Sequence, residues 1–240
     1  MRVAAATEVG KRKQNEDSYL VLPTKTGLAC AVSDGMGGHA AGATASRISV
    51  ETLAEWIGFP DADVESVLRR AVAQANETVY KLSLSDDSMF GMGATLVAAI
   101  ATKKRFVVAN VGDSRLYRFD GQTLTQVTHD HSFVQELVRR GIISREEART
   151  HPRRNVITRA IGTEQGVEPD LFEAEWNKGD CLLLCSDGLC GVLDDALMAS
   201  VLQNEASLEQ ACQTLIEMAL SHGSTDNITV VLVQNEEDAQ

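Results

Sequence analysis

The tripeptide Ser-Asp-Gly occurs twice, each time after an apolar run: LACAV precedes Ser33-Asp34-Gly35, and CLLLC precedes Ser186-Asp187-Gly188. Asp-Gly alone makes a turn, but the following segments, MGGHAAG and GLCGVLDD, lead into helical patterns and not into a partner strand. Three more aspartates share this setting: Asp113 ends FVVANVGD, Asp226 precedes ITVVLV, and Asp17 precedes a strand in NEDSYLVL. If these strands lie side by side in packed sheets, up to five carboxylates gather at one end. Two carboxylates about 4 Å apart repel by ~1 kcal/mol in water and ~4 kcal/mol at an effective dielectric near 20, so such a cluster needs protons or cations. Oxygen ligands without a nearby Cys/His pattern favour Mg²⁺ or Mn²⁺ over structural zinc. The glycine after Asp34 lets a backbone carbonyl approach a metal closely. An acidic two-metal site suits in-line displacement at phosphorus, with carboxylates holding cations about 3.5–4 Å apart that acidify a shared water. Arg12, five residues before Asp17, is either the bidentate grip on the remaining phosphate oxygens or part of an exposed basic turn in Lys11-Arg12-Lys13.

The elements that must position these residues are short strands, apolar or β-branched and bounded by turn residues: 2–7, 18–22, 28–33, 94–102, 105–111, 115–119, 171–176, 181–185 and 228–233. Asp120-Gly121 is a hairpin signal between RLYRF and QTLTQV. Helical patterns come in two pairs. The first covers 40–57 and 64–84, with Leu68, Val72, Ala75 and Val79 at helical spacing. In the second, Ser207 and Gln210 form a capping-box signature ahead of Leu208, Ala211, Leu215 and Met218. Strands in hairpin order with paired helices argue for antiparallel sheets under helical outer layers, an α+β sandwich, and against a doubly wound parallel sheet. The charged stretch 129–166, with short helical patterns at 133–140 and 145–150, is an excursion from the sheets. Its run His151-Pro152-Arg153-Arg154-Asn155 is either a solvated loop or a flap that contacts substrate.

Composition bounds the reading. The chain has 240 residues, 34 acids against 22 bases, a formal charge of −12 and 44% apolar residues. That length and the even spread of apolar positions fit one soluble domain. The acid excess disfavours nucleic acid and anionic membranes as partners and favours cations. Five cysteines without framework spacing read as reduced thiols that pack as small hydrophobes. The amino-terminal segment has no signal-peptide pattern, and the longest apolar run, 94–101, falls far short of the ~20 residues of a bilayer span, so a cytoplasmic location is expected.

In chain order, Gly10-Lys11-Arg12-Lys13-Gln14-Asn15-Glu16-Asp17, Asp34-Gly35-Met36-Gly37-Gly38-His39, Gly93-Ala94-Thr95, Val111-Gly112-Asp113-Ser114-Arg115, Ser186-Asp187-Gly188 and Asp226-Asn227 resemble the protein phosphatase 2C family of metal-dependent Ser/Thr phosphatases. The match runs almost end to end, and the forms DGMGGH and HPRRNVITRAIG look like its bacterial branch. The resemblance implies a four-layer αββα sandwich of two mainly antiparallel sheets flanked by helix pairs. It also implies one catalytic domain over 1–236, with 129–166 as the family's variable flap, and a short acidic tail at 237–240. Two Mn²⁺ or Mg²⁺ ions are implied: Asp34 bridges both, the Gly35 carbonyl binds the second, and Asp187 and Asp226 complete the first. Glu16 and Asp17 match an acidic pair that reaches the metals mainly through water, and Arg12 matches the phosphate-binding arginine.

The implied reaction is attack by a metal-bridging hydroxide on phosphoserine or phosphothreonine in proteins, with no phosphoenzyme. The implied partners are phosphoprotein substrates that include a cognate Ser/Thr kinase or its targets, and the chain is expected to be a monomer. A catalytically silent phosphoprotein-binding regulator and a small-molecule phosphohydrolase are the competing readings. Two departures matter. Met36 stands where many eukaryotic relatives have a histidine, which leaves His39 or a metal-bound water as general acid. Gly191 replaces an aspartate that, with Asp113, would bind a third metal, so a third ion is doubtful. Thr95, Asn110, Ser114 and Asn227 are expected to orient carboxylates by hydrogen bonds. His131 and His151 are expected at the surface, and Trp56 and Trp176 in the core or on a sheet face.

Overall fold

The structure is a computed structural model that describes residues 1–25, 27–38, 40–57 and 63–236. His39 and the acidic tail 237–240 lie outside the described residues. In chain order the elements are β1 (Arg2–Glu8), β2 (Asp17–Pro23), β3 (Leu28–Met36), α1 (Ala40–Ile57), α2 (Val64–Ser85), β4 (Gly93–Ala94), β5 (Leu96–Ala101), β6 (Arg105–Val111), β7 (Arg115–Phe119) and β8 (Leu124–Gln126). They continue with α3 (Phe133–Arg139), α4 (Arg145–Thr150), β9 (Asp170–Glu175), β10 (Cys181–Cys185), α5 (Asp187–Cys190), α6 (Asp195–Asn204), α7 (Leu208–Ser221) and β11 (Ile228–Gln234).

One sheet runs β1-β11-β10-β7-β8 and the other β2-β3-β5-β6-β9, with β4 added to the end of β3. All the paired strands are antiparallel. Period-two alternation explains the layering, because successive side chains in a strand face opposite sides. Cys30 and Val32 of β3 face Leu182 and Leu184 of β10 and Val231 and Val233 of β11, forming the core between the sheets. Ala29 and Ala31 point the other way, onto α1 and α2 through Leu53, Leu68, Val72 and Val79. On the far side Leu183, Val230 and Leu232 meet Met198 and Val201 of α6 and Leu215 and Ile216 of α7. The result is the expected αββα sandwich. All five cysteines are buried free thiols, Trp176 sits in the inter-sheet core and Trp56 packs against the α1/α2 layer. No helix among the described residues is long and apolar enough to cross a membrane.

Five local expectations change. The strand expected over 94–102 breaks at Thr95, whose N–H donates to the Asp34 carbonyl at 2.8 Å, so β4 and β5 are separate. The hairpin turn centres one residue later than Asp120-Gly121: Asp120 itself stays in register, its N–H donating to the Thr123 carbonyl at 3.2 Å. At α7 the Ser207 hydroxyl accepts from the Gln210 N–H, whereas the full reciprocal capping box belongs to Ser144 and Glu147 at α4. His131, expected at the surface, is 8% exposed. Its Nδ1 accepts the Gly112 N–H at 3.0 Å and its Nε2 lies 3.2 Å from Asp170 Oδ2, so the ring holds the turn before Asp113. His151 is half-buried too, with its ring 5.9 Å from that of Phe133.

Candidate metal centre

The two sheets deliver the aspartates to one end of the sandwich. Asp17 and Asp34 are direct cross-strand partners at the start of β2 and near the end of β3. Asp113 lies in the turn leaving β6, Asp187 opens α5 directly after β10, and Asp226 lies just before β11. Asp34 feels the charge of each of the other four. The Ser-Asp-Gly repeat turns out to be a packing device. A Cβ on Gly35 would sit 2.0 Å from the Gly42 carbonyl oxygen of α1, and one on Gly188 would sit 1.9 Å from the Asn227 carbonyl oxygen. Close backbone approach therefore requires glycine at both sites, and at Gly188 it draws the 226–227 loop against the helix that carries Asp187.

Hydrogen bonds then fix the segments that carry the carboxylates, and of the four residues expected to orient them, Thr95, Asn110, Ser114 and Asn227, none bonds a carboxylate through its side chain. Ser186 Oγ donates to Asp17 Oδ2 at 2.7 Å and accepts the Thr229 N–H at 3.0 Å, a bond from one sheet to a carboxylate of the other. Thr95 Oγ1 accepts the Asp34 N–H at 2.9 Å and bonds Ser114 Oγ at 2.7 Å. Asn227 Oδ1 accepts the Glu16 N–H at 2.8 Å, while its Nδ2 donates to the Val9 and Gln14 carbonyls and so ties down the loop carrying Arg12. Asn110 reaches no carboxylate; it donates to the Gly112 and His129 carbonyls and shapes the turn before Asp113. Ser186 and Thr229 are the residues that sequence reasoning missed. The serine shared by both Ser-Asp-Gly copies was the available signal.

Burial dominates the electrostatics. It pushes the carboxyl of Asp187 up to about 6, that of Asp17 to about 7 and that of Asp113 to about 8. Asp34 is raised well above the ordinary range, first by burial and then by the neighbouring aspartates. Oδ1 of Asp17, Asp113 and Asp187 is enclosed and has no hydrogen-bond partner. Enclosed carboxylate oxygens without donors are costly unless a proton or cation satisfies them, so this all-oxygen donor set fits hard divalent ions. Among the described residues no three His, Cys, Asp or Glu side chains form a ready-made cage. Glu16 stands aside, its carboxylate lying against α1 where a Cβ on Gly42 would meet it at 2.0 Å. Arg12 Nη2 donates to Asp226 Oδ2 at 2.7 Å, which places its guanidinium at the rim of the cluster. At Gly191 a Cβ would sit 2.6 Å from the Asp187 carbonyl oxygen, so an aspartate there would displace the backbone of Asp187.

A second strap reaches the centre from the excursion. Asn76 of α2, 1% exposed, accepts the Gly162 N–H at 2.7 Å and donates to the Glu164 carbonyl at 3.0 Å. Ile161 in turn exchanges backbone bonds with Ala94, next to the Thr95 that holds Asp34. Asn76→Ala leaves a buried N–H and C=O unpaired, and a loss of about 2–4 kcal/mol is expected in denaturant unfolding. Asn76→Asp, which keeps the acceptor for Gly162, is expected to recover part of it.

A two-sheet sandwich with buried aspartates converging at one end is the architecture of a metal-dependent phosphohydrolase. The family model described as protein phosphatase 2C matches residues 8–228, and the chain belongs to that family. It is 41% identical over 241 residues to a protein named serine/threonine phosphatase stp from Listeria welshimeri, covering 98% of this chain and 96% of the relative. Its fold is similar to the crystal structure of serine/threonine phosphatase Stp1 from Staphylococcus aureus, with a TM-score of 0.93, 37% identity and coverage of 98% and 95% of the two chains. It is also similar to the catalytic domain of the serine/threonine protein phosphatase PstP in complex with two manganese ions, with a TM-score of 0.86, 38% identity and 97% coverage of each chain.

Proposed function

We propose that this chain is a Mn²⁺- or Mg²⁺-dependent phosphatase that removes phosphate from phosphoserine and phosphothreonine in proteins and opposes a Ser/Thr kinase. On this reading it acts as a monomer in the cytoplasm, with 1–236 as one catalytic domain and 129–166 as its flap. The observation that carries the proposal is the set of enclosed, donorless oxygens on Asp17, Asp113 and Asp187 around Asp34. When bound, two divalent ions supply charge for the phosphoryl oxygens and an acidified water as nucleophile. Asp34, Asp187 and Asp226, with the Gly35 carbonyl, are the residues that would hold them, and Asp17 and Asp113 take outer positions. Glu16 contributes through its backbone, whose N–H is held by Asn227 and whose carbonyl accepts the Gly35 N–H at 3.1 Å. Ser186 and Thr95 hold Asp17 and Asp34 in place, so the ligand set is pre-organised before substrate arrives. Arg12 swings from Asp226 to the substrate phosphate, where its forked donors fix the ester for attack. Met36 has no proton to give, which assigns protonation of the leaving oxygen to His39 or to water.

The test is phosphate release from phosphothreonine peptides, p-nitrophenyl phosphate and phosphorylated metabolites, with Mn²⁺ and then with chelator. Metal-dependent release that favours the peptides is expected; no turnover under any divalent ion leaves only the regulator reading, and a preference for metabolites leaves the small-molecule one. In the same assay Arg12→Ala is expected to raise KM about tenfold, with Mn²⁺ affinity changed much less, as for loss of one charge-assisted pair. An unchanged KM removes the phosphate-clamp role.

A further inference from the structure

With 34 acids against 22 bases, an arginine in this chain has carboxylates in excess around it. Outside the excursion, Arg2, Arg12, Arg47, Arg69, Arg105, Arg115 and Arg118 each have an acidic partner within 4 Å, and Arg70 donates to the Ser66 carbonyl. Within 129–166 the pattern reverses. Arg140 and Arg159 are paired and Arg149 donates to the Leu193 carbonyl, but the exposed Arg139, Arg145, Arg153 and Arg154 have no carboxylate partner among the described residues. The excursion carries seven arginines against five acids, a charge of +2, while the remainder of the chain carries −14.

These donors are held ready and not merely left over. The Arg153 guanidinium stacks 3.8 Å from the centre of the Phe133 ring, which occupies its face and leaves its N–H edges outward. The His151 ring accepts the Arg153 N–H at 3.0 Å and the His151 carbonyl accepts the Arg154 N–H at 3.0 Å, so the turn presenting both side chains is fixed. The excursion is tied to segments that lead from two of the aspartates. His131 bonds the Gly112 N–H beside Asp113, and Arg149 bonds Leu193, six residues after Asp187.

We propose that Arg139, Arg145, Arg153 and Arg154 dock acidic side chains that flank the phosphorylated residue, so that phosphoserine and phosphothreonine in acidic sequence are the favoured substrates. This rests on the phosphatase reading and names its substrate class. A short acidic peptide fits the balance of charges: it can sit on a segment of net charge +2, whereas a long polyanion would also meet the remainder of the chain at −14.

The experiment compares two phosphothreonine peptides, one with glutamates on both sides of the phosphorylated residue and one with glutamines in their place, at saturating free Mn²⁺. For the wild type, kcat/KM is expected to favour the acidic peptide about fivefold at low salt, with the preference shrinking as salt screens it. In R153A/R154A the two peptides are expected to converge within about twofold, and R139A/R145A is expected to show a smaller loss of preference. Equal kcat/KM for the two peptides in the wild type overturns the proposal, as does a preference that survives both double variants. Turnover of p-nitrophenyl phosphate is read in parallel. If it proceeds with Mn²⁺ while the peptides are equivalent, only the docking surface fails; if it is absent, the phosphatase reading fails and the docking proposal with it.

Discussion

Asparagine in place of Asp34 is expected to abolish Mn²⁺-dependent phosphate release, by about a thousandfold or more, as expected when a metal-holding carboxylate is lost, while making the metal-free protein more stable. The opposite signs follow from the position of Asp34. It is the carboxylate that feels Asp17, Asp187, Asp113 and Asp226 together, and in the proposed role of shared ligand it cannot be replaced by a neutral amide that binds cations weakly. In chelator the same centrality is a liability, because Asp34 must either ionise among buried like charges or hold a proton there. The amide removes that repulsion at nearly constant volume and keeps the backbone N–H bond to Thr95. Thermal melts in chelator at pH 8 are expected to show Asp34→Asn above wild type by several degrees, since ~1 kcal/mol shifts a domain of this size by about 2–4 °C. A variant that melts lower and keeps its activity would place the cluster outside the chemistry.

The metal-free wild type is expected to lose stability as pH rises from about 5 to about 8.5, and Mn²⁺ to reverse the trend. Each of Asp187, Asp17 and Asp113 has a folded pKa, about 6, 7 and 8, above the ordinary aspartate value of 3.8. A group that binds its proton more tightly when folded costs nothing below its unfolded pKa. Its penalty grows as pH rises from the unfolded toward the folded value and is complete above it. A tenfold difference in proton affinity between the folded and unfolded chain corresponds to about 1.4 kcal/mol, so a coupled cluster represents on the order of a few kcal/mol across this window. Melting temperatures in chelator at pH 5.5 and 8.5 check this, with a fall of about 5–10 °C expected for a chain of this size. With saturating Mn²⁺ the fall should vanish or change sign, because the ions bind the ionised carboxylates and compete with protons. A flat profile in chelator would mean that the aspartates are solvated as ordinary surface groups.

The layers of the fold were legible because β3, β10 and β11 are buried on both faces and read as continuous apolar runs, while α1, α2 and α7 carry helical spacing. The acidic centre was legible because the Ser-Asp-Gly copies end two such runs without a hairpin to explain them. What could not be read were partnerships across long sequence separations. Ser186 serves Asp17, 169 residues away, and Asn76 serves Gly162, 86 residues away; nothing local marks either. His131 was misplaced for a similar reason. A histidine in a charged segment suggests solvent, but the Gly112 N–H needed an acceptor and the ring is buried to provide it. A second reason for glycine at position 35 could not be read either, since the space its missing Cβ leaves is filled by the Gly42 carbonyl of a helix that local spacing does not place there.

Calorimetric titration of the chelator-stripped protein with MnCl₂ near pH 6.5, in two buffers of different ionisation heat, tests the acidic centre most directly. Wild type is expected to bind two ions per chain with net release of protons from the raised carboxyls, and Asp34→Asn to lose the saturable phase. Absence of saturable binding in the wild type, or an unchanged isotherm in Asp34→Asn, would contradict the assignment of this aspartate cluster as the metal centre of a phosphatase.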